Sequence, residues 1–154
     1  MTSPTVSAVL FDLDGTLIDT APEFIHIGLQ LRAEAGLPPI DAKTIWHSVS
    51  NGAIGMVEAA LEMPADDPAF EQWRQRFLTL YETGLGDLSH PYPGLPELIA
   101  GLDKARIAWG VVTNKLSRFA LPLMDKMPFD PAAGAVVTPV SYTHLRAHET
   151  RGNL

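Results

Sequence analysis

Two aspartates stand two positions apart in the string Phe11-Asp12-Leu13-Asp14-Gly15-Thr16-Leu17, directly after the apolar run from Val6 to Phe11. A short apolar run that closes on acidic residues and a glycine reads as a buried strand delivering Asp12 to its C-terminal end. In extended backbone, side chains two apart face the same way, so both carboxylates would point into one crevice. Gly15 permits a tight turn there. One carboxylate that can attack, beside a second that can give and take a proton, is what an aspartyl-phosphate mechanism requires. The same residues also suit a plain turn with solvated acids; the full string behind its apolar strand favours the chemical reading. A second string, Gly110-Val111-Val112-Thr113-Asn114-Lys115, ends a strand on a hydroxyl residue. The Thr113 hydroxyl could bind a phosphoryl oxygen, or Thr113-Asn114 could simply turn the chain and cap a helix.

The elements that must position these residues follow from periodicity. Thr20 and Glu23 have capping-box spacing with Pro22 in the first turn, predicting a helix with Phe24, Ile27 and Leu31 on one face and Gly36 as its stop. Asp41 is placed to cap a short helix through Trp46, Ser50-Asn51-Gly52 reads as a turn, and Ile54, Val57 and Leu61 mark a further helix. Asp67-Pro68 opens another, with Phe70, Trp73, Phe77 and Tyr81 as a stripe that reads as core rather than a substrate platform. Residues 16–88 are therefore expected to be helical. Prolines and glycines from Pro91 to Pro96 then break the chain. A helix from about Pro96 to Ala105, a strand from Ile107 to Val112, a helix capped by Ser117 and running to Met127, and a strand from Ala135 to Thr138 follow. Strand, helix, strand, helix, strand is a parallel α/β pattern. Open sheets of this kind bind ligands beyond the carboxyl ends of their strands.

Composition limits the functions that fit. A 154-residue chain with 46% hydrophobic and 19% charged residues is sized for one globular core. A net charge of −7 disfavours nucleic-acid binding through phosphate neutralisation. No cysteine is present, which excludes disulfides and thiolate chemistry. No signal peptide or membrane span is read, so the expectation is a cytoplasmic protein with no membrane partner. His26, His47 and His90 have no ligand spacing, and Arg118 reads as a solvated residue at a helix start.

FDLDGT resembles the first motif of the haloacid dehalogenase-like superfamily, and FDLDGTLIDTAPEF is similar to its phosphoglycolate phosphatase branch. The resemblance implies a doubly wound parallel α/β core, here residues 1–15 and 89–139, with a helical cap inserted after the first strand at residues 16–88. It implies Asp12 as the nucleophile and Asp14 as the acid and base. It also implies Thr113 as the phosphate ligand, with Asn114 beside it. The implied cofactor is Mg²⁺, held by the Asp12 side chain, the Asp14 backbone carbonyl and acids of a later motif; oxygen-only ligation suits a hard cation. The implied partner is a small phosphorylated metabolite, with phosphoglycolate as first expectation. GLPP, VSNGA and GVVTNK together resemble the N-acetylmuramic acid 6-phosphate phosphatases of the same branch, and a phosphomutase shares both aspartates. Dehalogenation is disfavoured, because no leaving alkoxide would need the proton that Asp14 can supply. Asn51-Gly52 reads equally as a cap loop reaching the site or as a helix connector.

Two family motifs are not found after Thr138: a lysine at the phosphoryl site and a late acidic pair for the metal. Lys126 precedes the last strand and is not expected to replace that lysine. His144 and His148 have the i, i+4 spacing of two ligands on one helix face. VSYTHLRAHET, however, resembles a reading frame of a transposase-type sequencing adapter. The expectation is that native sequence ends near Pro139, that residues 140–154 are a non-native tail, and that this truncated chain is itself inactive.

Overall fold

The computed structural model describes residues 6–139. The reading of residues 140–154, with His144 and His148, lies outside them. In chain order the elements are β1 (Ala8–Phe11), β2 (Ile18–Asp19), α1 (Ala21–Glu34), α2 (Ala42–Trp46), a 3₁₀ turn at Val49–Asn51, α3 (Gly52–Leu61), α4 (Phe70–Thr83), β3 (His90–Pro91), α5 (Leu95–Lys104), β4 (Ala108–Val112), α6 (Ser117–Lys126) and β5 (Val136–Val137). The chain divides into two compact units. One comprises the described residues up to Ile18 and from Pro91 onward, and the other is Asp19–His90.

The first unit is α/β. Its three-stranded sheet has the order β1-β4-β5. Both pairings are parallel, with Phe11 opposite Val111 and Val112 opposite Val137. The expected strand-helix-strand pattern is thus observed, although β1 starts two residues later than Val6. Among the described residues β1 has a strand on one side only, and Leu10 is 65% exposed. Gly110 is required by close approach: a Cβ there would lie 3.0 Å from the Ala135 carbonyl oxygen and 3.2 Å from Leu10. Trp109 is buried beside it, its ring edge-on to Phe11 and Phe129, and its Nε1–H donates to the Pro131 carbonyl at 3.1 Å. Ile99 of α5 and Phe119, Ala120 and Leu123 of α6 supply the helical side of this core. Ser117 is the first helical residue of α6 rather than its cap; Leu116 holds the cap position and makes no side-chain cap bond.

The second unit is helical. Ile27, Leu31, Ile45, Met56, Val57, Ala60, Phe70, Phe77 and Tyr81 are all buried in its core. The Phe24 ring meets Phe77 and Tyr81 edge-on at 5.4 and 4.9 Å. The aromatic stripe of α4 is core, as expected, with Trp73 half-buried. The inward face of α3 differs from its expected one: Val57 and Leu61 are buried together with Met56 and Ala60, whereas Ile54 is 52% exposed. Asp41 caps α2 as expected, its side chain accepting from the Lys43 N–H at 2.8 Å. The Thr20 half of the capping box of α1 is corrected. Thr20 occupies the cap position but makes no side-chain cap bond, and Asp19 instead accepts from the Ala21 N–H at 3.1 Å. Glu23, buried, accepts from the Gly86 N–H at 2.8 Å and from the Ser89 hydroxyl. Arg32, also buried, donates to the carbonyls of Pro38 and Ala60, tying α1 to the connector and to α3. Among the described residues, no helix is long and apolar enough to cross a membrane.

Candidate functional site

β1 and β4 run parallel in a register that ends with Phe11 opposite Val111, so the residues following each strand emerge at the same edge of the sheet. Asp12 follows β1 directly and is exposed; Leu13 is fully buried; Asp14 is half-buried. The alternation expected from extended backbone therefore survives beyond the strand, with Leu13 anchoring the segment inward between two outward carboxylates. A tight turn follows. The Leu17 and Ile18 N–H groups both donate to the Leu13 carbonyl at 3.0 Å, and the Gly15 N–H donates to the Ile18 carbonyl at 2.9 Å. Gly15 sits at φ +76°, where any other residue except Asn or Asp is strained, so the turn itself demands glycine.

Thr113 follows β4 and is buried. Its N–H donates to the Val137 carbonyl at 3.0 Å, which fixes its backbone to β5. Its Oγ1 accepts from the Lys115 N–H at 3.1 Å. A hydroxyl that accepts from its own turn directs its proton elsewhere, and a phosphoryl oxygen is a suitable acceptor. Asn114 is exposed beside it.

Asp12, Asp14, Thr113 and Asn114 are thus brought to one sheet edge. A residue that sequence reasoning gave no role joins them. The Lys115 ammonium lies 2.8 Å from Asp14 Oδ1, closing a contact between positions 101 residues apart, and its side chain is only 6% exposed. Lys115 stands in the second string itself, whereas a lysine was expected only after β5. Lys126 ends α6 with its side chain at the surface. His26, His47, His90 and Arg118 are exposed; the Arg118 guanidinium rests 4.6 Å from the neighbouring Phe119 ring. Asn51 and Gly52 form the junction between the 3₁₀ turn and α3, in the helical unit.

Residues 9–145 match the family model described as "Haloacid dehalogenase-like hydrolase". The chain belongs to this family. Among curated proteins, it is 48% identical over 141 residues to the N-acetylmuramic acid 6-phosphate phosphatase of Pseudomonas aeruginosa, covering 92% of this chain and 62% of the relative. It is 39% identical over 135 residues to the phosphoglycolate phosphatase of Agrobacterium fabrum, covering 82% and 56%. The fold is also that of the crystal structure of a predicted phosphoglycolate phosphatase from Haemophilus somnus, with TM-score 0.72 and 22% identity, covering 86% of this chain and 62% of that one. The haloacid dehalogenase-like chain described here spans about three-fifths of the length of the curated relatives it matches.

Proposed function

We propose that the full-length protein hydrolyses a small phosphomonoester through an aspartyl-phosphate on Asp12. The observation that carries this reading is the Asp14–Lys115 contact, which ties the first motif to the second at the ends of two adjacent parallel strands. An Asp12 carboxylate oxygen forms a bond to phosphorus as the phosphorus–oxygen bond to the alcohol breaks, and protonated Asp14 gives its proton to the departing alkoxide. Asp14, now a carboxylate, takes a proton from water. The resulting hydroxide attacks phosphorus, releasing inorganic phosphate and restoring Asp12. The Thr113 hydroxyl donates to a phosphoryl oxygen through both steps, and Asn114 flanks it.

The donor chemistry fits Mg²⁺, since the Asp12 side chain and the Asp14 backbone carbonyl offer hard oxygens. Among the described residues no group of three metal-binding side chains occurs, so these two would be joined by water and by acids from elsewhere in the full-length protein. When bound, the ion would neutralise charge on the phosphoryl group. The helical unit, residues 19–90, is proposed as a cap that reads the substrate and excludes water.

The higher identity to the N-acetylmuramic acid 6-phosphate phosphatase, 48% against 39%, supports that sugar phosphate ahead of phosphoglycolate as substrate. The test is phosphate release from both compounds by the full-length protein, with Asp12→Asn as its control. Asp12→Asn is expected to abolish turnover, because an amide cannot form the acyl phosphate. Asp14→Asn is expected to slow it by about 10²- to 10⁴-fold. Activity retained in Asp12→Asn rejects the mechanism, and the ratio of kcat/KM on the two compounds decides the substrate.

A further inference from the structure

We infer that Lys115 is a positioning residue for Asp14, holding the carboxylate that handles the proton at the end of β4; this rests on the function proposed above. Asp14 lies in a turn, and its side chain is 35% exposed. Lys115 differs in this respect. Its side chain is 6% exposed, and its backbone N–H is tied to Thr113 Oγ1 at 3.1 Å. Thr113 is itself pinned to β5 through its N–H. A restrained ammonium 2.8 Å from Asp14 Oδ1 links that carboxylate to the end of the sheet. The same hydroxyl proposed to hold the phosphoryl group thereby also organises the turn that carries the lysine. One short path from Thr113 to Lys115 to Asp14 sets the distance between the phosphate ligand and the proton donor. Misplacement of a reacting group by about 1 Å can lower a rate by about 10²-fold.

The experiment uses the full-length protein. Lys115→Met keeps the length of the stem and removes only the charge. It is expected to lower kcat by about 10- to 100-fold while KM and the Mg²⁺ concentration for half-maximal rate each stay within about threefold. Lys115→Arg, which still offers a cation to Asp14, is expected to recover at least a third of the loss on a logarithmic scale. In an Asp14→Asn background, Lys115→Met is expected to have no further effect on kcat, because the inferred role runs through that carboxylate. The inference is overturned by a kcat within twofold of wild type in Lys115→Met, by losses that multiply in the double variant, or by recovery at high Mg²⁺, which would place Lys115 at the metal instead. Should Lys115→Met fail to fold, Lys115→Arg and Lys115→Gln compared in both backgrounds separate the same outcomes. Failure of the underlying mechanism reads differently, as turnover surviving in Asp12→Asn.

Discussion

The two units of this chain solve the same problem unequally. In Asp19–His90 the helices enclose their own apolar faces: Leu31, Ile45, Met56, Val57, Ala60 and Phe77 are fully buried. In the sheet unit, Leu10 of β1 is 65% exposed, Val112 of β4 is 44% exposed and Val137 of β5 is 52% exposed. The helical unit is built from neighbours close in sequence, so its described residues suffice to close a core. A parallel sheet needs cover on both faces and a partner on each side of its central strands, which must come from distant segments. The proposed catalytic residues nonetheless sit in the unit whose described strands are more exposed. Stability and chemistry are therefore expected to respond to different substitutions.

Truncating Phe77 in the full-length protein sharpens that contrast most. A fully buried phenylalanine packed on Phe24 is expected to cost about 3–5 kcal/mol when replaced by alanine, read from urea unfolding. Leu10→Ser in the 154-residue chain should do the opposite of harm. With its side chain 65% exposed, the expected change in stability is within about 0.5 kcal/mol, and the aggregated fraction in light scattering should fall as this exposed apolar strand is made more polar. A loss of about 2 kcal/mol or more at Leu10 would mean that the edge is covered in solution, and the contrast would fail.

The smallest effect tests the helical unit at its surface. Arg76 of α4 donates twice to Glu34 of α1, at 2.9 and 2.8 Å. These bonds, with a further one from Gln30, lower the Glu34 carboxyl from 4.5 to about 2. A carboxyl depressed on folding stabilises fully above its unfolded value and ceases to do so as pH falls through its folded value. The contribution is thus present above about 4.5 and lost toward about 2. Solvent screening keeps it small. Arg76→Ala should lower the urea midpoint slightly near neutral pH and leave it unchanged near the acid end of that window; equal losses at both would assign the effect to packing of the arginine stem.

What the sequence made legible follows the same division. Asp12 and Asp14 could be paired because strand geometry relates residues two apart, and the ends of α2, α5 and β4 fell within two residues of their expected places because caps and breakers are local signals. The Lys115 contact was not legible, since nothing in the local pattern of either motif encodes a partner 101 residues away. Glu23 shows the same limit. Its spacing from Thr20 matched a helix cap, but its bonds to Gly86 and Ser89, 63 and 66 residues away, have no local signal. The inward face of α3 shifted from Ile54 to Met56 and Ala60 because periodicity fixes the pitch of a helix and only weakly its rotation.

The bond from Ser89 to Glu23 spans 66 residues and joins the entrance of the helical unit to its exit. It acts as a drawstring at the neck of an inserted bag. Once the neck is cinched, the length of chain held within it hardly matters to the strands on either side, since each doubling of an enclosed flexible loop adds only about 0.6 kcal/mol to its closure. A fold with such a neck can exchange its insert, lengthen it or reshape its lining while leaving undisturbed the threads from which it hangs. Cutting the drawstring with Glu23→Ala should be felt first as fraying at the two ends of the insert, with early hydrogen exchange at Ala21 and Gly86.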